Sequence, residues 1–499
     1  LNNCINLYCN SNQLIQLPSL NNCNYLDCSH NRLYTLPDAL PPLPECIELN
    51  CSHNRLNTLP DLPFCTKLNC SHNRFYTLPD LPFCTELYCN NNELAELSDI
   101  QMCMELYCTN NLLSNLPPLP NCTELYCSNN QLTVLPELPL CVGLNCSGNQ
   151  ITVLPALPQC VELDCGDNSL NTLPNLPMCE ELDCNQNELT ALPEISECVV
   201  LTCGGNRLNT LPNLPMCTDL FCNNNQLTAL PELANCVMIN CVDNRLGNFF
   251  ETNRSYTLNN CRNLYCNSNQ LTALPALPEC IELICIDNQL EELPPLNNCR
   301  DLNCSGNQIT QLPPLNNCRE LNCSGNQITQ LPALIECGVL YCSDNQLEEL
   351  TPIPNCIMLI CSDNQLTSLP ALPECRELNF NNNKLGSFFE INTAYNLPNC
   401  IYLHCENNEL SILPGIDLQV IKLLVCGNNP DLYYKKRFAQ QYNLLKLESA
   451  PRLTEVSPRE IKIYLLKKYP EKSPPEIKKN ITEFLGGNIP LKMATNDAY

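Results

Sequence analysis

The cysteines of this chain recur at one fixed interval over most of its length, and that interval limits the fold more than any other feature. From Cys84 through Cys103 and Cys122 to Cys236, every step is 19 residues. A second cysteine follows five residues later, as at Cys89 and Cys108, and an asparagine three residues after that, as at Asn92 and Asn111. The unit C-x-x-L-x-C-x-x-N-x-L-x-x-L-P-x-L-P-x occurs in 22 copies between Asn12 and Asn429, all of which keep the asparagine. A unit this short cannot bury its apolar positions alone, so neighbouring copies must stack on one another, and the product is a solenoid.

Within a unit the chemistry assigns each side. The segment Glu124-Leu125-Tyr126-Cys127 alternates with period two, which predicts a short parallel β-strand with Leu125 and Cys127 inward and Glu124 and Tyr126 outward. The asparagine turns the chain off the strand, its side-chain amide bonding backbone groups of the bend and stacking as a ladder. Two prolines per unit exclude a helix on the far side and favour extended, polyproline-II-like chain. With a strand about every 4.8 Å, 22 units predict a rod or arc roughly 100 Å long.

The unit resembles the leucine-rich repeat, L-x-x-L-x-L-x-x-N-x-L, with cysteine in its first and third leucine slots. The resemblance covers roughly residues 1–430. The segment Leu116-Pro117-Pro118-Leu119-Pro120 looks like the short repeats of bacterial type III effectors. Cys304-Ser305-Gly306-Asn307-Gln308-Ile309 is similar to repeats encoded by large DNA viruses of protists. The resemblance implies a β-rich, right-handed arc with one parallel strand per repeat, a convex side without helices, and partner binding on the strand face. Effector repeats of this kind can precede a ubiquitin-ligase domain with a catalytic cysteine. Here no cysteine follows Cys426, so the chain is expected not to be that ligase.

Three insertions break the step: four residues near 38–42, six near 247–257 and six near 386–396. The last two share wording, Gly247-Asn248-Phe249-Phe250-Glu251 against Gly386-Ser387-Phe388-Phe389-Glu390, and all three are expected as tolerated surface bulges. Residues 1–14 (LNNCINLYCNSNQL) nearly repeat residues 258–271 (LNNCRNLYCNSNQL), so the array is expected to extend upstream of Leu1.

Charge marks a boundary near residue 430. Residues 431–499 hold 13 Lys and Arg against 8 Asp and Glu, a net of +5, while the remainder holds 13 against 44, a net of −31. Segments 438–447 and 458–469, and one opening at Pro474-Pro475, are predicted as short helices of a C-terminal cap or docking tail.

The 42 cysteines divide into 21 in each slot, with Ile421 and Phe380 as the two replacements, which indicates that the slots demand apolar filling. A reduced, buried core is the leading reading. Disulfide ladders between neighbouring copies and capture of a soft metal are the alternatives. The uniform C-x4-C spacing lacks the C-x2-C knuckles of zinc sites, so neither metal nor cofactor is expected. The N-x-S/T matches such as Asn145-Cys146-Ser147 lie in the strand and turn of the unit and are false glycosylation signals.

Two surface columns are candidate sites. Glu86, Glu105 and Glu124 stand beside Tyr88, Tyr107 and Tyr126, an acidic and aromatic patch suited to a protein partner with a basic surface. The segment S-H-N-R places His30, His53 and His72 in one column and Arg32, Arg55 and Arg74 two residues on, a ladder able to bind an anion or sense pH. Duplication of repeats would also carry either column along.

A net charge of −26 argues against a nucleic-acid partner, and no stretch of 18 apolar residues suggests a membrane span. No Ser-His-Asp arrangement, phosphate-cradling glycine loop or H-E-x-x-H appears, so no enzyme is expected. The expected function is a protein–protein interaction scaffold in a reducing compartment, the cytosol, a host cytosol or a virion. The alternatives are a structural component of a viral particle or surface layer, for which the −31 array and +5 tail permit self-association, and a thiol-rich metal or redox store.

Overall fold

The computed structural model describes residues 3–34, 42–417, 419–429 and 432. The chain divides into two compact units, Leu1–Leu246 and Gly247–Tyr499. Among its described residues the first unit holds thirteen strands of three residues, from Asn6–Tyr8 to Met238–Asn240. Each copy pairs in parallel with the next and in strict register, as in Glu86↔Glu105, Leu87↔Leu106 and Tyr88↔Tyr107. From the second copy on, the central Leu or Ile and the cysteine after it are sealed from solvent, Leu106 and Cys108 among them. A three-residue strand is too short to stand alone, so its stability comes from the copies stacked on either side.

The two cysteine slots do different work. The Cys84 backbone N–H donates to the Leu81 carbonyl at 3.2 Å, closing the turn that leads back into the strand. Its Sγ–H then donates to the Glu86 carbonyl at 3.3 Å, and Cys103 and Cys122 repeat the bond to Glu105 and Glu124. The second-slot thiols are small apolar filling of the core. All described cysteines are free thiols, including Cys217 and Cys236, whose sulfurs lie 4.0 Å apart. Burial pushes Cys65 up to about 11 and Cys122 up to about 12, which keeps these thiols protonated.

The asparagines form the ladder expected of them. Asn111 Nδ2 donates to the Cys108 carbonyl of its own copy and the Cys89 carbonyl of the copy before, both at 3.0 Å. It also reaches the Thr109 carbonyl at 3.4 Å. In return, the Leu94 N–H is accepted by Asn111 Oδ1 at 3.0 Å. One amide thus satisfies bend groups on two copies that water cannot reach, which accounts for its presence in every repeat.

The backbone strain of the turn, however, sits one residue earlier than the asparagine. His30, His53, Asn91, Asn110 and Asp167 take φ of 51°, 53°, 56°, 57° and 50°. This left-handed region is open to glycine and tolerated by Asn, Asp and His, which make up most of that column; Ser11, Gln186 and Ser268 are the exceptions.

The second unit repeats the same stack from Asn263–Tyr265 to Leu423–Val425, with register such as Asp301↔Glu320 and Leu302↔Leu321. Its two six-residue insertions are not loose bulges. Each folds one helical turn, Phe249–Thr252 and Phe388–Ile391, that drives Phe250 and Phe389 into the core. Tyr256 and Tyr395 pack against those rings at 5.5 and 5.4 Å between centroids. Glu251 accepts from the Thr272 hydroxyl at 2.7 Å and Glu390 from the Ser411 hydroxyl at 3.0 Å, which pins each turn to a following copy. Phe380 lies 6.0 Å from Phe389, so the larger ring fills the thiol slot where the insertion adds an aromatic neighbour.

On the far side, segments such as 116–120 adopt neither helix nor strand, as their prolines require. Most of the insertion at 38–42 lies outside the described residues, as do the helices expected at 438–447, 458–469 and beyond Pro474.

Candidate functional site

The acidic and aromatic columns of the first unit come together as one surface. In-register pairing of Glu86–Tyr88, Glu105–Tyr107 and Glu124–Tyr126 superposes identical side chains. The Tyr88 and Tyr107 rings stack at 4.7 Å with planes 16° apart, and Tyr107 and Tyr126 at 4.7 Å with planes 4° apart. Tyr88 donates its hydroxyl to Glu105 Oε2 at 2.8 Å. Lys67 closes one end of the patch: it pairs with Glu86 and places Nζ 5.8 Å from the centre of the Tyr88 ring. Gly143 closes the other end, because a Cβ there would collide with the Glu124 carboxylate.

Glu124 and the three tyrosines hold their protons more tightly than an ordinary carboxyl and phenol. Partial burial raises Glu124, with the Glu162 and Glu105 carboxylates adding to the rise and the Tyr126 hydroxyl opposing it. Burial and the neighbouring glutamates likewise raise Tyr88, Tyr107 and Tyr126, leaving their hydroxyls as neutral donors.

Two hollows flank the tyrosine ridge. One, of about 330 Å³, runs from Tyr8 and Tyr25 past Glu48 and Lys67 to Tyr88. The other, of about 310 Å³, runs from Tyr126 past Glu162, Asp164, Glu181 and Asp183 to Val200. The acidic columns Glu162/Glu181 and Asp164/Asp183 and the lysine at position 67 were not singled out in the sequence. The same column reading extends to them once Gly143 is passed over.

The histidine and arginine columns also assemble, on the turn edge of the same unit. His30 and His53 stack at 4.1 Å with planes 10° apart, and His53 and His72 at 4.1 Å with planes 14° apart. Each imidazole is exposed at a left-handed turn tip. Its backbone N–H is held by the next copy, as in His30 to Ser52 and His53 to Ser71, both at 2.9 Å. Burial, then His72 and His30, lowers the affinity of His53 for a proton. The exposed Arg32, Arg55 and Arg74 are anchored through backbone bonds to the Leu14, Leu33 and Leu56 carbonyls.

Among the described residues no group of three or more His, Cys, Asp or Glu is placed to hold a metal ion, and no helix is long and apolar enough to cross a membrane. In the second unit a polar groove of about 870 Å³ lies beside the first insertion helix, lined by Arg254, Gln289, Glu291, Glu292, Gln308 and Thr310.

No family model matches the chain, and no curated protein matches it. Among solved structures it is similar to YopM from Yersinia enterocolitica, with 32% identity and a TM-score of 0.65 over 77% of this chain and 91% of YopM. The ectodomain of the Arabidopsis receptor kinase HAESA, solved with an extended IDA peptide hormone, matches at 19% identity and a TM-score of 0.54, covering 84% of this chain and 86% of its own. The plant receptor RGFR1, solved with the hormone RGF2, matches at 19% identity and a TM-score of 0.54, covering 79% and 72%. At that identity the two receptors show the fold alone. With YopM matched over nearly its whole length, and with the parallel Leu-x-Cys strands and the asparagine ladder in place, the chain belongs to the leucine-rich-repeat family.

Proposed function

We propose that this chain is a non-catalytic scaffold that binds a protein partner along the strand face of its first unit, through Glu86, Tyr88, Glu105, Tyr107, Glu124 and Tyr126. The observation that carries the reading is the co-facial tyrosine stack with carboxylates along one side and a hollow at each end. Stacked rings present a large, rigid contact area that loses little entropy on binding. The glutamates give that area a negative potential, so the fitting partner presents Lys or Arg. In HAESA and RGFR1 the same fold holds a peptide, which accords with a peptide-like segment lying along these columns.

Buried thiols held protonated, Cys65 and Cys122 among them, support a structural role rather than a store of reactive sulfur, since the thiolate is the reactive form. A reducing compartment, such as the cytosol, accords with so many free cysteines. A display library of random dodecapeptides tests the reading. Peptides enriched on the wild-type chain are expected to carry Lys and Arg beside aromatics, and to lose about tenfold or more in affinity for a Tyr107→Ala chain. Enrichment without cationic residues, or equal binding to the variant, would remove the strand face from consideration.

A further inference from the structure

The first unit is strongly acidic, with 25 Asp and Glu against six Lys and Arg in residues 1–246. Lys67 is engaged by Glu86 and Arg207 by Glu188. Three of the six cations, Arg32, Arg55 and Arg74, lie on one turn edge, and among the described residues none of them forms an ion pair. That edge also carries three of the four histidines of the chain. Tyr34 and Tyr76, two residues beyond Arg32 and Arg74, are exposed large rings beside it. Duplication accounts for the triplication of the segment. Whatever its origin, the result is a cationic strip without ion-pair partners among the described residues, on an otherwise negative body.

The groups facing the imidazoles can be named. Asn91 Nδ2 lies 3.3 Å from His72 Nε2, and Asn91 Oδ1 accepts from Asn110 at 2.9 Å. That second bond orients the Asn91 amide so that its N–H points at His72, which makes Nε2 the acceptor and leaves the proton on Nδ1. Asp27, at the end of the strand that leads into the first of these turns, is occupied by the Ser29 N–H and hydroxyl at 3.0 and 2.7 Å. Glu93 stands by Tyr76. The imidazoles otherwise face one another at 4.1 Å, so protons on adjacent rings repel, and Arg32, Arg55 and Arg74 follow two residues on from each ring. An anion laid along the stack would offset that repulsion.

We propose that His30, His53 and His72, with Arg32, Arg55 and Arg74, form a proton-coupled docking site for an extended acidic peptide. Each guanidinium offers a fork that matches one carboxylate. The three turns set these forks in a row, and Tyr34 and Tyr76 cover the uncharged side chains between them. A short segment suits the edge better than a continuous polyanion such as nucleic acid, because the acidic faces on either side repel whatever overruns it. Binding draws protons onto the imidazoles, so affinity rises as pH falls through the histidine range. The site is separate from the strand face, and Tyr107→Ala leaves it intact.

Fluorescence anisotropy of a labelled hexaglutamate peptide with the full chain tests this. Affinity is expected to rise about tenfold or more between about pH 7.5 and about pH 5.5, a range in which glutamate stays ionised. The triple variant Arg32→Gln, Arg55→Gln, Arg74→Gln is expected to lose binding throughout. The triple variant His30→Asn, His53→Asn, His72→Asn is expected to bind as wild type near pH 7.5 and to lose the pH response. Asparagine already occupies the same left-handed position at Asn91 and Asn110, so this variant keeps the turn. A wild-type affinity that does not change with pH, or arginine variants that bind as wild type, would overturn the proposal. Tighter binding of an oligonucleotide of equal charge would overturn the choice of a peptide.

Discussion

Serine in place of Cys103 and serine in place of Cys108 should differ in their cost, although both thiols are fully buried. At position 103 the sulfur donates to the Glu105 carbonyl at 3.2 Å, and a serine hydroxyl inherits that bond. The remaining loss is sulfur contact, about 1 kcal/mol or less. At position 108 no hydrogen-bond partner of the sulfur is present among the described residues. A hydroxyl there is buried unsatisfied, at about 1–3 kcal/mol on top of the lost contact. The expected gap is therefore about 2 kcal/mol, with alanine at each position as the control for volume. Urea unfolding reads it as a midpoint roughly 0.7–1 M lower for Cys108→Ser than for Cys103→Ser, taking a slope of about 2–3 kcal/mol/M. Hydrogen exchange along Glu105–Tyr107 gives a local reading, since a repeat array can open in parts. Equal losses from the two serines, with equal alanine controls, would refute the division of labour between the slots.

Three other outcomes follow from the same geometry. Asn111→Asp sets a carboxylate against the Cys89, Cys108 and Thr109 carbonyls and should cost about 3 kcal/mol or more in urea unfolding; a loss under about 1 kcal/mol would mean the ladder is dispensable. Alkylation without reductant should label all 42 cysteines after denaturation but chiefly Cys4 and Cys9 in the folded chain, and protection that survives denaturation would show bridged or metallated thiols. His53 binds its proton more weakly folded than its ordinary value of 6.5, so its contribution to stability is present above that value and is lost as pH falls through the lowered one. The urea midpoint should accordingly fall less on acidification in His53→Asn than in wild type, and identical slopes would exclude the stack as the cause.

Much of this was legible before any coordinates, for a physical reason. A repeat presents the same constraint at every copy, so the inward Leu125 and Cys127, the outward Glu124 and Tyr126, and the asparagine ladder could be read from spacing. The left-handed residue ahead of each asparagine was missed because its column varies, from His53 to Asn91 to Gly148 to Asp167. What those residues share is tolerance of positive φ, a property of backbone that no hydropathy pattern displays. The insertion helices were missed because one turn is too short to show a period. Their signal was the paired phenylalanines at 249–250 and 388–389, which have no reason to be adjacent on a solvated bulge. At the strand face the columns were plain, but Lys67 and Gly143, which close its two ends, gain meaning only from the neighbours they face.

The tyrosine ridge also has an optical consequence. The chain contains 18 tyrosines and no tryptophan, so no indole band overlies the phenol absorption. Three nearly parallel rings at 4.7 Å spacing form a coupled chromophore whose transitions mix, and the right place to look is the near-ultraviolet circular dichroism. An occupant that tilts or parts the rings alters the splitting. The protein therefore carries its own label-free reporter of occupancy on the surface proposed to take the partner.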